Sequence, residues 1–327
     1  MKSFQILLFI LIIPLSVQAI DVRNKGAGIN MNEYTADSLL EAADEVFQSR
    51  DYAAALEKYR AVLDIARREF NRPVEVETLA QMARMNLLLN QKDEGRQWLE
   101  EAEKKVSESD PMGWSRLLGV KGRFQWQDND LKSARETFET MYAYCTTNAL
   151  WSRAIDAAHM IAIVAETPED QIEWGRRGIE AAEAGDHEDW LGPLWNNLAA
   201  TYYDIKKYDS ALACYLKARE YHWRHSGEMG KLFADYHVGM TYRYLGQFDE
   251  AGKWLRPVLA WAERIENHSA IGQALQDLGE IEIARKNKGE GLKMVKRARE
   301  EYRLAKFNET WPEVWDGINK RINELEK

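Results

Sequence analysis

"YYDIKKYDSALACYLKA", residues 202–218, places Ala211, Tyr215 and Ala218 at i, i+4 and i+7, on one face of a helix. The same cadence returns in "DYAAALEKY" at residues 51–59 and in "GQFDEA" at residues 246–251. Ala55-Tyr59-Val62, Ala134-Phe138-Met141 and Ala251-Leu255-Val258 repeat the spacing. A small or tight residue recurs in the partner helices at Ala43, Ala83, Gly122, His159, Ala199, Gly239 and Gly279, in steps of 40, 39, 37, 40, 40 and 40. Self-similarity at such a period marks stacked supersecondary units. The chain therefore reads as seven helical hairpins, each with a close crossing.

Residues 194–218 carry Trp195, Leu198, Ala199, Tyr202, Tyr208, Ala211, Tyr215 and Ala218, and residues 235–258 match nearly as well. This pattern of small residues at crossings and large ones in the holes between repeats resembles the tetratricopeptide repeat family, over roughly residues 36–305. The resemblance implies an all-α, right-handed superhelical solenoid of about seven antiparallel hairpins at residues 33–310. The usual repeat is about 34 residues, so a 40-residue step implies helices about three residues longer apiece. The fourth unit departs most, with His159 at the small site and Gln171 and Gly178 where alanines are usual. Thr167-Pro168-Glu169-Asp170 still reads as a helix start with a capping Thr. Thr310-Trp311-Pro312-Glu313 reads as a capping box. It opens a C-terminal capping helix at residues 311–327, whose stripe is Trp311, Trp315, Ile318, Ile322 and Leu325. Pro257 is expected to kink the second helix of the sixth unit; the other prolines suit helix starts or loops.

The first 19 residues stand apart. Lys2 precedes the apolar run Phe4 to Ile13, and Val17-Gln18-Ala19 offers small residues for cleavage. That is the layout of a secretory signal peptide, so the mature chain is expected to begin at Ile20, with a loose leader over residues 20–32. The alternative is an uncleaved anchor. Export would leave a periplasmic or secreted protein with no later membrane span. Of 44 basic residues, 43 remain once Lys2 is removed, against 53 acidic ones, a net charge of −10. Such a balance repels phosphate backbones and argues against a nucleic-acid partner. Cys145 and Cys214 are the only cysteines, in different helical segments, and are expected to be buried thiols rather than a disulfide framework.

The family resemblance implies that first helices line a concave groove. Moving one residue onward from the buried set, by about 100°, selects the groove-facing positions. These are Arg84, then Arg116, Arg123 and Trp126, then Arg153 and Asp156, then Asn196, Ala200 and Tyr203, and lastly Tyr236, Met240, Arg243 and Tyr244. Guanidinium forks suit carboxylates, and aromatics give contact area at low entropy cost, so the expected ligand is a protein or peptide segment with acidic groups. The competing reading is that the arginines pair with Asp156, Glu77 or Asp44 and simply keep the wall soluble. The Lys and Asn clamp that some family members use for a C-terminal carboxylate is echoed only by Asn196 and Asn197.

Twelve Trp in an acidic chain also suit an exported helical toroid that processes polysaccharides, which would need two carboxylates about a sugar bond. Asp186, Glu188 and Asp189 are candidates, but capping the next helix is the simpler role. His222 and His225 could share a face, yet neither a third ligand nor an HExxH pairing accompanies them, and a surface pair is expected. His159 reads as a core histidine. No Gly-rich phosphate loop follows a strand pattern, so no cofactor is implied. Asn267-His268-Ser269 and Asn308-Glu309-Thr310 are glycan acceptor sequences, relevant only in a host with that machinery. The expected protein is an exported scaffold or adaptor without catalysis; a periplasmic sensor subunit is the same physical class with a different partner.

Overall fold

The computed structural model describes residues 35–327; the expected signal peptide and the leader over residues 20–32 lie outside them. All regular structure among the described residues is helical. Seven hairpins succeed one another: α1 (Ala36–Gln48) with α2 (Tyr52–Arg68), α3 (Arg72–Leu88) with α4 (Lys92–Lys105), α5 (Pro111–Gln127) with α6 (Leu131–Thr147), α7 (Trp151–Val164) with α8 (Pro168–Ala184), α9 (Glu188–Asp204) with α10 (Tyr208–His225), α11 (Glu228–Tyr244) with α12 (Phe248–Arg264), and α13 (His268–Ala284) with α14 (Lys288–Leu304). A one-turn α15 (Phe307–Thr310) leads into α16 (Pro312–Glu326). The chain forms two compact units, one ending at Leu194 and the other running from Trp195 to Lys327.

The long repeat comes from 17-residue helices joined by three-residue turns, and its irregular steps have local causes. Helix α7 has 14 residues, three fewer than its counterparts, which gives the 37-residue step. Helix α4 also has 14, and the longer connection after it restores all but one residue, giving 39. Within most turns one residue adopts a left-handed conformation: Arg50, Phe70, Asn90, Asn129, Ala149, Asp186, Lys206, Gly246, Glu266, Lys286 and Lys306. The amide after it bonds a carbonyl five residues back, as in Asn71 N–H to Ala66 O at 2.9 Å and Lys207 N–H to Tyr202 O at 2.9 Å, so orphan carbonyls at the helix end are satisfied. In several hairpins a side chain then caps the next helix: Asp51 accepts from the Ala54 amide at 3.0 Å and Asn267 from that of Ala270 at 2.9 Å.

The repeat-defining residues are buried. Ala55, Tyr59, Val62, Ala134, Phe138, Met141, Ala211, Tyr215, Ala218, Ala251, Leu255 and Val258 all lie in the core. At Gly122 a Cβ would meet the Phe138 ring at 2.5 Å, and at Gly239 the Leu255 side chain at 2.8 Å, so these crossings require the absent side chain. Cys145 and Cys214 are buried free thiols, and burial raises Cys145 to about 11. Among the described residues no helix is long and apolar enough to cross a membrane.

Several local expectations need correction. Thr310 caps nothing: it ends α15 and donates back to Lys306 O at 3.0 Å, while Trp311 occupies the N-cap of α16. The interposed turn of helix, entered through left-handed Lys306, displaces the capping box. The stripe of α16 is nevertheless in place, with Ile318, Ile322 and Leu325 buried and Trp311 and Trp315 packed on the same core as Val295 and Tyr302. Pro193 also lies inside a helix, as Pro257 does, and α9 and α12 each continue through theirs. Thr167 caps α8 as its sequence suggests, accepting from the Asp170 amide at 3.2 Å.

Candidate functional site

In the first unit the first helices α3, α5 and α7 bring four groove arginines beside three carboxylates. Glu77, Arg116 and Arg153 each stand six residues before the small residue of their repeat, so stacking sets them in a row. Arg116 donates to Glu77 Oε1 from Nε at 3.1 Å, with its Nη2 3.0 Å away. Arg153 reaches the same oxygen across the intervening α5 and also donates to Met112 O at 3.1 Å. Glu77 is 4% exposed. Burial alone would raise its pKa, but Arg116 and Arg153 outweigh burial and hold the carboxyl below the usual range.

A second pair lies two turns further along. Arg123 donates to Asp156 Oδ1 at 2.6 Å and to Gly119 O at 2.9 Å. Burial opposes the charge of Asp156, yet Arg123 and Arg84 keep its carboxyl far below the normal range, while burial lowers His159. Asp44 accepts from the Tyr59 hydroxyl and from Gln81 Nε2 at 2.9 Å, with Arg116 at 4.0 Å. Arg84 lies over the Phe47 ring, 4.7 Å from its centroid. Trp126 is half-buried near the end of α5.

The second unit presents an aromatic wall instead. Tyr203 meets Tyr244 edge-on at 5.0 Å and Tyr208 at 5.6 Å, and Tyr208 meets Tyr244 at 5.2 Å. Arg243 stacks over Tyr244 at 4.0 Å and is anchored by Asp277 Oδ1, 2.6 Å from its Nε. Tyr236 lies beside the same carboxyl, and burial and then Asp277 raise its phenol well above the ordinary value. Burial raises the Asp277 carboxyl despite Arg243. Tyr244 is 40% exposed, so the patch offers an open aromatic face on a fixed frame. Asn196 is half-buried and stands apart from these contacts at the middle of α9. Tyr208 and Asp277, absent from the sequence-selected set, complete the patch; a period-40 comparison places Asp277 one residue after the counterpart of Tyr236.

The histidine expectation fails in part. His222 is 3% exposed, not on the surface, and its Nδ1 pairs with Ser226 Oγ at 2.7 Å. It continues the buried stripe Ala211, Tyr215, Ala218 by one more turn. His237 stacks on Tyr215 at 4.9 Å. Burial lowers both imidazoles to about 4. Among the described residues no group of three or more His, Cys, Asp or Glu could hold a metal ion. Asp186 occupies a left-handed turn, and Glu188 and Asp189 begin α9.

Comparison with known proteins agrees with this architecture. The family model described as Tetratricopeptide repeat matches residues 196–228. No curated protein matches the sequence. A STAND signal-transduction ATPase with a tetratricopeptide repeat sensor, from Pyrococcus horikoshii, is similar at TM-score 0.72 and 13% identity, over 88% of this chain and 44% of that one. The chain thus spans less than half the length of that protein. The apo form of RapI is similar at TM-score 0.69 and 14% identity, over 82% of this chain and 77% of that one. BtubC from P. vanneervenii gives 0.54 and 16%, over 72% and 93%. At these identities the likeness is one of fold.

Proposed function

We propose that this chain, whose helical hairpins are tetratricopeptide repeats, is an exported scaffold that captures a peptide or protein segment on the faces of its first helices and performs no chemistry itself. The observation that carries the reading is the Tyr203, Tyr208 and Tyr244 patch with Arg243 stacked on it and anchored from beneath by Asp277. Open aromatic area on a rigid frame is what a binding surface needs, because little entropy remains to be lost on association. The titratable groups of the first-unit wall support a role without catalysis: Glu77 and Asp156 are tied to arginines and held as carboxylates, unlike a proton donor poised near neutrality. A sensing role, as in the sensor array of the STAND protein, would use the same surface. Export rests on Lys2, the apolar run Phe4 to Ile13 and the small residues before Ile20.

The test pairs two measurements. Cell fractionation with N-terminal sequencing should find a mature chain beginning at Ile20 outside the cytoplasm; an intact Met1 on a cytoplasmic protein would reject export. Affinity capture from that fraction should yield a partner retained by the wild type and lost from the Tyr244→Ala, Arg243→Ala variant. Equal capture by both would reject the aromatic wall as the binding surface.

A further inference from the structure

Arg84 stands out on the first-unit wall when each charge is traced to its partner. Glu77 is taken by Arg116 and Arg153, Asp156 by Arg123, and Asp44 by the Tyr59 hydroxyl and the Gln81 amide. Arg84 is half-buried, and among the described residues its guanidinium rests on the Phe47 ring at 4.7 Å rather than on a carboxylate. Asp156 attracts this guanidinium at longer range but is hydrogen-bonded to Arg123, so Arg84 has no carboxylate in hydrogen-bond contact, and a ring face compensates only part of its desolvation. Burial and then the neighbouring Arg123 lower Arg84 to about 9, an effect that the Asp156 carboxylate offsets only in part.

Resting on the peptide-scaffold reading above, we infer that Arg84 is the residue that receives a carboxylate from the bound segment, an Asp or Glu side chain flanked by apolar residues. Arg116, Arg123 and Arg153 hold the wall in shape; Arg84 is left to meet the ligand. Four guanidiniums, those of Arg84, Arg116, Arg123 and Arg153, face three carboxylates, those of Glu77, Asp156 and Asp44, which leaves the wall short of one negative charge. A phosphate dianion would bring two, next to Asp156, whose repulsion opposes it. The neighbourhood is apolar as well as cationic. Leu88, 46% exposed, comes one turn after Arg84 on α3, and Trp126 comes three residues after Arg123 on α5. An acidic side chain between apolar ones complements that mixture.

The probe is a displayed library of random 12-residue peptides selected against the full chain, with the selected peptides then synthesised and their affinities measured by fluorescence anisotropy. The expected set is enriched in Asp and Glu. Arg84→Gln should weaken binding about 10-fold or more, the effect of one charge-assisted hydrogen bond, and Arg84→Lys should recover part of it. Changing the peptide's acidic residue to its amide should weaken wild-type binding equally and leave Arg84→Gln unaffected. Thermal melting of the free protein separates this role from a structural one: Arg84 is half-buried and hydrogen-bonds no carboxylate of the frame, so Arg84→Gln should leave Tm nearly unchanged, whereas a fall of several degrees would make Arg84 part of the frame and overturn the inference. Selected peptides that bind Arg84→Gln as well as wild type overturn it while leaving the scaffold reading intact. Tighter binding of a phosphoserine peptide than of its Glu counterpart also overturns it. Selection of no peptide at all removes the scaffold reading and the inference together.

Discussion

Glu77 and the histidines His222 and His237 use opposite solutions to charge, His222 buried and His237 half-buried. Glu77 keeps its charge because two guanidiniums surround it, so Glu77→Gln leaves Arg116 and Arg153 facing each other without the carboxylate they share, with only Asp44 at 4.0 Å from Arg116. We expect a loss of about 3 kcal/mol in urea denaturation, the scale seen when one member of a buried ion group is removed. His222 and His237 avoid charge altogether, with folded values near 4. In the unfolded chain an imidazole protonates near pH 6.5, so between about 6.5 and 4 the unfolded state binds more protons. Stability is therefore complete above about pH 6.5 and falls as the pH drops towards 4, by on the order of 3 kcal/mol for His222. Urea midpoints measured at pH 7 and pH 4.5 should show this fall, and His222→Gln should reduce it. The row of Glu77, Arg116 and Arg153 was legible from their shared place in the repeat. The reach of Arg153 across a whole helix to Glu77 was not, because period gives register but not distance. His222 was legible and overlooked: it extends the stripe Ala211, Tyr215, Ala218 by the next four residues.

At the scale of the helix, glycines separate crossings from open faces. Gly122→Ala would push a methyl into the fully buried Phe138 ring, which is held on all sides, and the expected loss is about 1–3 kcal/mol despite the gain in helix propensity. Gly317→Ala, within α16 and with nothing within 4 Å of the new methyl, should gain up to about 1 kcal/mol from propensity alone. Chemical denaturation of the two variants side by side checks the sign of each. Helix existence and pairing were readable because small and large residues recur at fixed intervals. The N-terminus of α16 was misread because Thr-x-x-Glu fits a capping box in isolation; the preceding turn, packing Phe307 on Tyr302 at 4.6 Å, moves the start past Thr310.

At the scale of the whole chain, α16 covers the apolar side of the seventh hairpin by turning Ile318, Ile322 and Leu325 inward. Removing residues 312–327 would uncover the core around Val295 and Tyr302. The truncated protein should melt at lower temperature and elute as aggregates in size-exclusion chromatography; a monomer with unchanged Tm would show that α16 is dispensable. The left-handed turn residues carry a different implication. They recur twenty residues apart through runs such as Arg50, Phe70 and Asn90, or Gly246, Glu266, Lys286 and Lys306. A single inserted codon inside any rod would swing the remainder of that rod by about 100° and present the wrong flank to its neighbour. Duplication of forty residues would instead add a rung in phase, whereas smaller changes must fall at a rod's end or be taken up in the next connection, as the shortened α7 and α4 show.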